Sequence, residues 1–204
     1  MRKLFIIMFC VFSLASFASA EVGIGLKVGM GQDDDNLKAT FLSDPNNYSS
    51  DESKGIGGVE LIWQQQVEQE SILGVKLGLD IYDKLKYSDL AANDEMNVDG
   101  YKIPVTVFYK YAPSEMPLNF WVGPGVTLAC SDWEYNYHPT AFSAEKHKRQ
   151  IFPHIKAGVE FRPYKNFGLG LDVGYNYAKE FKAWSYKRDI GGFEGALAAR
   201  FYFL

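Results

Sequence analysis

The side chains best placed for chemistry sit in the second half of the chain. His138, Thr140, Ser143, Glu145 and His147 fall within one short polar stretch, and His154 follows it. A histidine within hydrogen-bond reach of a hydroxyl, steered by an acid, would support acyl transfer or hydrolysis. The local order argues against it: His138 is followed by Pro139-Thr140, and His147 by Lys148-Arg149. Asp33-Asp34-Asp35 offers hard oxygen ligands of the kind calcium takes, but without the glycine and closing glutamate of a calcium loop. No catalytic residue, cofactor site or metal site is expected. Cys130 is the only cysteine after residue 20, so a secreted scaffold stapled by internal disulfides is excluded.

A second set of chemically active residues is more regular. In Phe167–Tyr177, FGLGLDVGYNY, apolar Phe167, Leu169, Leu171, Val173, Tyr175 and Tyr177 alternate with glycines, Asp172 and Asn176. Period-2 alternation means a strand with one apolar face and one small or polar face. Glycines and a carboxylate make a poor solvent surface, whereas a greasy face against lipid and a polar face against a narrow lumen account for both sides. The same pattern recurs at Val22–Met30, Ile56–Val67, Ile72–Tyr82, Gly100–Lys110, Leu118–Ala129, Gln150–Arg162 and Ile190–Leu204. The expected fold is therefore all-β: an eight-stranded antiparallel up-and-down transmembrane β-barrel.

The inward positions of these strands carry Lys27, Lys76, Lys102, Lys156, Arg162 and Arg200 among the cations. Glu60, Asp80, Glu160, Asp172 and Glu194 are the anions. An eight-stranded barrel is only wide enough for its own side chains to fill. Unpaired charges there would be costly, and the signs are nearly balanced, so these residues are expected to form interleaved ion pairs that plug the lumen. A lining of one sign would instead have indicated a selective pore.

The connections alternate strictly between long and short. Gly31–Lys54, Asp83–Asp99, Cys130–Lys148 and Ala178–Asp189 read as long loops; Glu68–Ser71, Tyr111–Pro117 and Pro163–Asn166 read as tight turns. Long outer loops and short periplasmic turns are the asymmetry of a barrel inserted from inside. Aromatic residues sort to the strand ends, with Trp63, Tyr109, Phe120, Phe167, Phe201 and Phe203 near the short turns. Tyr82, Tyr101, Tyr175 and Tyr177 lie near the long loops, as expected of two interfacial belts.

Residues 1–20 read as a signal peptide: Arg2 and Lys3, an apolar run over Leu4–Phe17, then Ala18-Ser19-Ala20 before Glu21. Residues 21–204 form the single barrel domain. The whole chain has 21 basic and 25 acidic residues, net −4. Losing Arg2 and Lys3 with the leader makes the mature chain still more acidic, which leaves no footprint for nucleic acid. Lys179, Lys182, Lys187 and Arg188 in the last long loop could meet lipopolysaccharide phosphates or an acidic partner.

The leader, the glycine-rich inner faces, KIPVTVFYKY (Lys102–Tyr111), FWVGPGVTL (Phe120–Leu128) and the phenylalanine-rich last strand resemble the small outer-membrane β-barrel superfamily. That group includes the transmembrane domain of outer-membrane protein A and the opacity-type surface proteins. The resemblance implies an outer-membrane location in a Gram-negative cell. It also implies outer-membrane lipid and lipopolysaccharide as surroundings and the barrel-assembly machinery as a partner in insertion. Such chains usually end on an aromatic, and here Leu204 follows Phe203. The function expected is non-catalytic: envelope structure, or display of surface loops for adhesion or host contact. A small porin-like channel is the second reading, and a lipid A-modifying enzyme the third. The surface ligand is unknown.

Overall fold

The computed structural model describes residues 20–31, 48–51, 55–89, 94–137, 142–178, 181–183, 186–188 and 191–203. Eleven strands run in chain order: β1 (Ala20–Gly31), β2 (Tyr48–Asp51), β3 (Gly55–Glu68), β4 (Ser71–Asp89), β5 (Asp94–Tyr111), β6 (Leu118–Tyr137), β7 (Phe142–Tyr164), β8 (Phe167–Asn176), β9 (Phe181–Ala183), β10 (Tyr186–Arg188) and β11 (Gly192–Phe203). Eight of them close a ring of antiparallel neighbours, β1-β3-β4-β5-β6-β7-β8-β11, and β11 returns to β1 through Val22↔Phe203 to Gly31↔Glu194. Closure matters because an open edge in hydrocarbon would leave backbone amides and carbonyls without partners. No described helix is long and apolar enough to cross a membrane.

Alternation decides the two faces. In β1, Val22, Ile24, Leu26, Val28 and Met30 are all exposed, while Gly23, Gly25 and Lys27 are buried. The exposed hydrophobic residues form a band around the whole ring, which is the reverse of a water-soluble fold. On β6 the outward apolar residues run from Leu118 to Leu128. Ten residues at about 3.4 Å each, tilted about 45°, rise roughly 24 Å, the height of a lipid-facing band. Val122 lies near the middle of that band. Val122→Arg is expected to cost about 2–4 kcal/mol in reversible unfolding from lipid vesicles, whereas Ser143→Arg, on an exposed position far above the band, should change little.

The short connections stand where the alternation places them, at residues 69–70, 112–117 and 165–166. Glu70 ties two of them together: its carboxylate accepts hydrogen bonds from the Tyr111 hydroxyl and the Ser114 amide, and its carbonyl accepts one from the Ala112 amide. Two expected long loops are largely strand. β4 and β5 continue to Asp89 and Asp94, and β6 and β7 continue to Tyr137 and Phe142. Their paired registers run on without interruption from Cys130↔Arg149 to Tyr137↔Phe142, so Cys130 is a buried strand residue rather than the start of a loop. The outward positions there are polar, as at Asp99 and Asp132, while Val98 and Trp133 are buried inside, so the stretch reads as loop because no outward apolar face marks the strand. Tyr82 also differs from its expected place in the outer belt. It lies on the lumen side, with the Lys102 ammonium 4.5 Å from its ring centroid.

The ring is lopsided as a result. Among the described residues β8, β11, β1 and β3 reach Asn176, Gly192, Gly31 and Gly55, while β4–β7 climb on as one sheet. Beyond Leu128, β6 adds nine residues, which at the same tilt is roughly 20 Å of wall above the lipid band. β2 pairs with the upper part of β4, and β9 with β10 makes a small separate hairpin. Residues 1–19, Asp33-Asp34-Asp35, His138, Thr140, Lys179 and Leu204 lie outside the described residues, as do the side chains of Lys182, Lys187 and Arg188.

Candidate functional site: the lumen and the raised wall

Inner-face glycines make the room that the charges use. A Cβ at Gly25 would run into the Glu60 carboxyl group, and one at Gly170 into the Arg200 guanidinium. Three tiers of polar residues fill the space. At the short-turn end Arg162 pairs with Glu21, which also accepts a hydrogen bond from Gln64, and the guanidinium lies 4.1 Å from the Tyr202 ring centroid.

The middle tier is built around Arg200, which is wholly buried. Its Nε donates to Glu60 Oε1 at 2.6 Å and its Nη1 to Glu160 Oε2 at 3.2 Å, while Nη2 donates to Asp172. Glu160 also accepts from the Tyr202 hydroxyl at 2.7 Å and from Lys110 Nζ at 3.4 Å. Lys76 stands 4.0 Å from Asp172 and sits over the Trp121 ring, 3.3 Å from its centroid. Three cations thus face three carboxylates. A fork of five N–H groups suits Arg200 to this central place, because it can serve several carboxylates at once.

In the upper tier Lys27 pairs with Asp80, and Glu194 is shared by Lys156 and, at 3.9 Å, Lys102, with Asn176 donating to it at 2.8 Å. His154 belongs to this tier. Its Nε2 and Nδ1 each lie 2.8 Å from a threonine hydroxyl, those of Thr106 and Thr127. The middle and upper tiers border a cavity of about 40 Å³, lined by residues including Lys76, Asp80, Trp121 and Glu194. That is room for only a water molecule or so.

The eleven inward charges read from the sequence therefore all face the lumen, in separate clusters rather than one chain. Sequence reasoning missed Lys110 and Glu21. Lys110 continues the inward parity of Lys102, Thr106 and Phe108 and could have been found by extending it by one step. Glu21 likewise continues the inward parity of Lys27, Gly25 and Gly23, but its pairing could not be read, because it depends on β7 bringing Arg162 beneath it. An apolar plug of Ile62, Phe108, Trp121 and Tyr202 also lies inside, with Phe108 and Trp121 edge-on at 6.0 Å.

The polar stretch weighed for catalysis is not assembled among its described members. Ser143 and His147 both face outward on β7, four residues apart, or about 14 Å along an extended strand. His147 Nδ1 instead lies 2.6 Å from Asp132 Oδ1 on β6. His154 is on the opposite, lumen face. Among the described residues no group of three or more His, Cys, Asp or Glu could hold a metal ion.

A closed antiparallel ring with a lipid-facing apolar exterior and a charged, filled lumen defines a small transmembrane β-barrel. The chain belongs to the outer membrane protein beta-barrel domain family, whose model matches residues 4–201. Among solved structures it is similar to a major outer membrane protein from Thermus thermophilus, at 13% identity and TM-score 0.57, covering 89% of this chain and 99% of that one. The N-terminal β-barrel domain of Pseudomonas aeruginosa OprF is similar at 13% identity and TM-score 0.53, covering 90% and 97%. The attachment invasion locus protein Ail of Yersinia pestis, solved with the heparin analogue sucrose octasulfate, gives 14% identity and TM-score 0.52, covering 91% and 99%. At these identities the likeness is one of fold. A search of curated proteins finds no match.

Proposed function

We propose that the protein is a non-catalytic outer-membrane surface protein that displays its raised wall for adhesion or host contact. In this reading residues 1–20 are a cleaved leader, and the lumen charges serve as a plug. The observation that carries it is the unequal height of the ring's described strands. A barrel needs only enough strand to cross lipid, yet β4–β7 extend as an ordered sheet well beyond it. Strand that far from the membrane stiffens and positions a surface for contact. The tiers of ion pairs support the plug, because each charge that would line a path is turned toward an opposite one. Ail, an attachment invasion locus protein solved with a heparin analogue, lends weight to contact with anionic glycans.

A shortened wall tests this. Trp133 and Lys146 are paired directly across β6 and β7, so residues 134–145 can be replaced by an Asn-Gly turn without shifting register. Both forms are expected to give a heat-modifiable folded band and no steady conductance in planar bilayers. Cells displaying the full wall should bind host cells or sulfated glycan surfaces, and cells displaying the shortened one should not. Well-defined single-channel openings would overturn the plug and favour the porin-like reading. Equal binding by both forms would remove the wall from the function.

A further inference from the structure

The outer side of the raised wall changes chemistry row by row, and the register fixes each row. Ile103, Leu128 and Ile151 are aligned across β5, β6 and β7 and form the top of the apolar band. The next outward row is Tyr101, Cys130 and Arg149, and the one above it is Asp99, Asp132 and His147. With Leu118–Leu128 spanning the hydrocarbon, the Arg149 row stands at the level of the lipid headgroups on the loop side.

Arg149 is exposed there, and its side chain forms no ion pair or hydrogen bond among the described residues. Beside it, His147 is held by Asp132, first through their hydrogen bond and then through the carboxylate charge. Both raise its pKa above the ordinary imidazole value and favour the imidazolium. With Nδ1 engaged by Asp132, the imidazolium keeps its Nε2–H for another acceptor. A recess of about 280 Å³ opens between these side chains, lined by Tyr101, Cys130, Asp132, His147, Lys148 and Arg149. Directly beneath it lies Ile151, 71% exposed, so an apolar surface for an acyl chain is continuous with a polar recess in which Arg149, Lys148 and His147 stand beside the single lining carboxylate, Asp132, which His147 engages.

We infer that this recess is a binding site for the phosphate of a lipid in the loop-side leaflet, with Arg149 as its principal anchor and His147 as a second donor. The guanidinium presents paired N–H groups that match phosphate oxygens, and the site lies where a lipid phosphate would sit when its chain packs on Ile151 and Leu128. The inference does not depend on the display reading, since it needs only the barrel's position in lipid.

The test is native mass spectrometry of the refolded full barrel incubated with lipid A, with phosphatidylcholine as the zwitterionic control and inorganic phosphate as competitor. The wild-type protein should retain lipid A, and Arg149→Gln should retain about tenfold less, the loss of one charge-assisted contact. Lys165→Gln, in the turn at the other end of the barrel, should match the wild type. Each variant is first shown to give the heat-modifiable folded band, and Arg149→Lys serves as a second, charge-conserving variant with intermediate retention. Equal retention by Arg149→Gln and wild type would overturn the site. Equal retention of phosphatidylcholine would overturn its preference for an accessible anionic phosphate. Displacement by millimolar inorganic phosphate would show a free-anion site rather than a lipid site.

Discussion

Arg200→Met is expected to destabilise the barrel by about 3–5 kcal/mol, the usual cost of removing one partner from a buried ion pair. Methionine approximates the length of the aliphatic stem, so little packing is lost and the effect is electrostatic. Glu60, Glu160 and Asp172 would keep their desolvated positions but lose the one group that serves all three. Glu160 would retain Lys110 and Tyr202, and Asp172 only Lys76 at 4.0 Å. Glu60 would have no partner nearby as close as the 2.6 Å contact it lost. Removing its charge as well, in Arg200→Met/Glu60→Gln, should therefore recover at least about 1 kcal/mol, a coupling that a double-mutant cycle measures directly. Urea unfolding from lipid vesicles gives both numbers. A loss below about 1 kcal/mol for the single variant would mean that water reaches these carboxylates freely and that the middle tier does not seal the lumen.

Trp121→Ala is the second large effect, expected at about 3–5 kcal/mol for a buried aromatic replaced by a methyl group. The ring is nearly fully buried, packs edge-on against Phe108 and carries the Lys76 ammonium over its face. Losing it opens a cavity and also uncovers a buried cation, a contribution of up to about 2 kcal/mol when such contacts are desolvated. Trp121→Phe keeps much of what alanine removes. The indole N–H has no hydrogen-bond partner among the described residues, so phenylalanine sacrifices volume but keeps a π-face for Lys76. It should cost well under half as much as alanine. If both variants cost the same, neither the filled volume nor the π-face under Lys76 accounts for the loss.

Both predictions concern residues whose importance was only half visible in the chain. Arg200 and Trp121 were identifiable as inward from parity alone, because neighbouring side chains in a strand must point to opposite faces. The eight barrel strands, the tight turns and the lipid-facing band follow from that same local rule, which holds for each strand in isolation. It failed above the lipid band: there β5 and β6 turn polar residues such as Asp99 and Asp132 outward and bury Val98 and Trp133 inside, so the outward apolar stripe that marks the other strands is missing, and backbone pairing with neighbours holds them as strand. Lys110, the last residue of Gly100–Lys110, escaped notice because the inward parity was not followed past Phe108.

Partnership is a different kind of quantity. Which carboxylates meet Arg200 depends on the stagger of β3, β7, β8 and β11 around a closed ring, and their residues come from positions 60 to 200 of the chain. Glu21 under Arg162, and Arg149 level with Tyr101 at the top of the lipid band, are set by the same stagger. The sequence by itself determined the fold class, the facing of each residue and the membrane as its solvent, because alternation and transfer free energy act residue by residue. Only the tertiary structure decided the tiers, the raised wall and the headgroup-level recess, because ring closure alone sets which distant residues share a height.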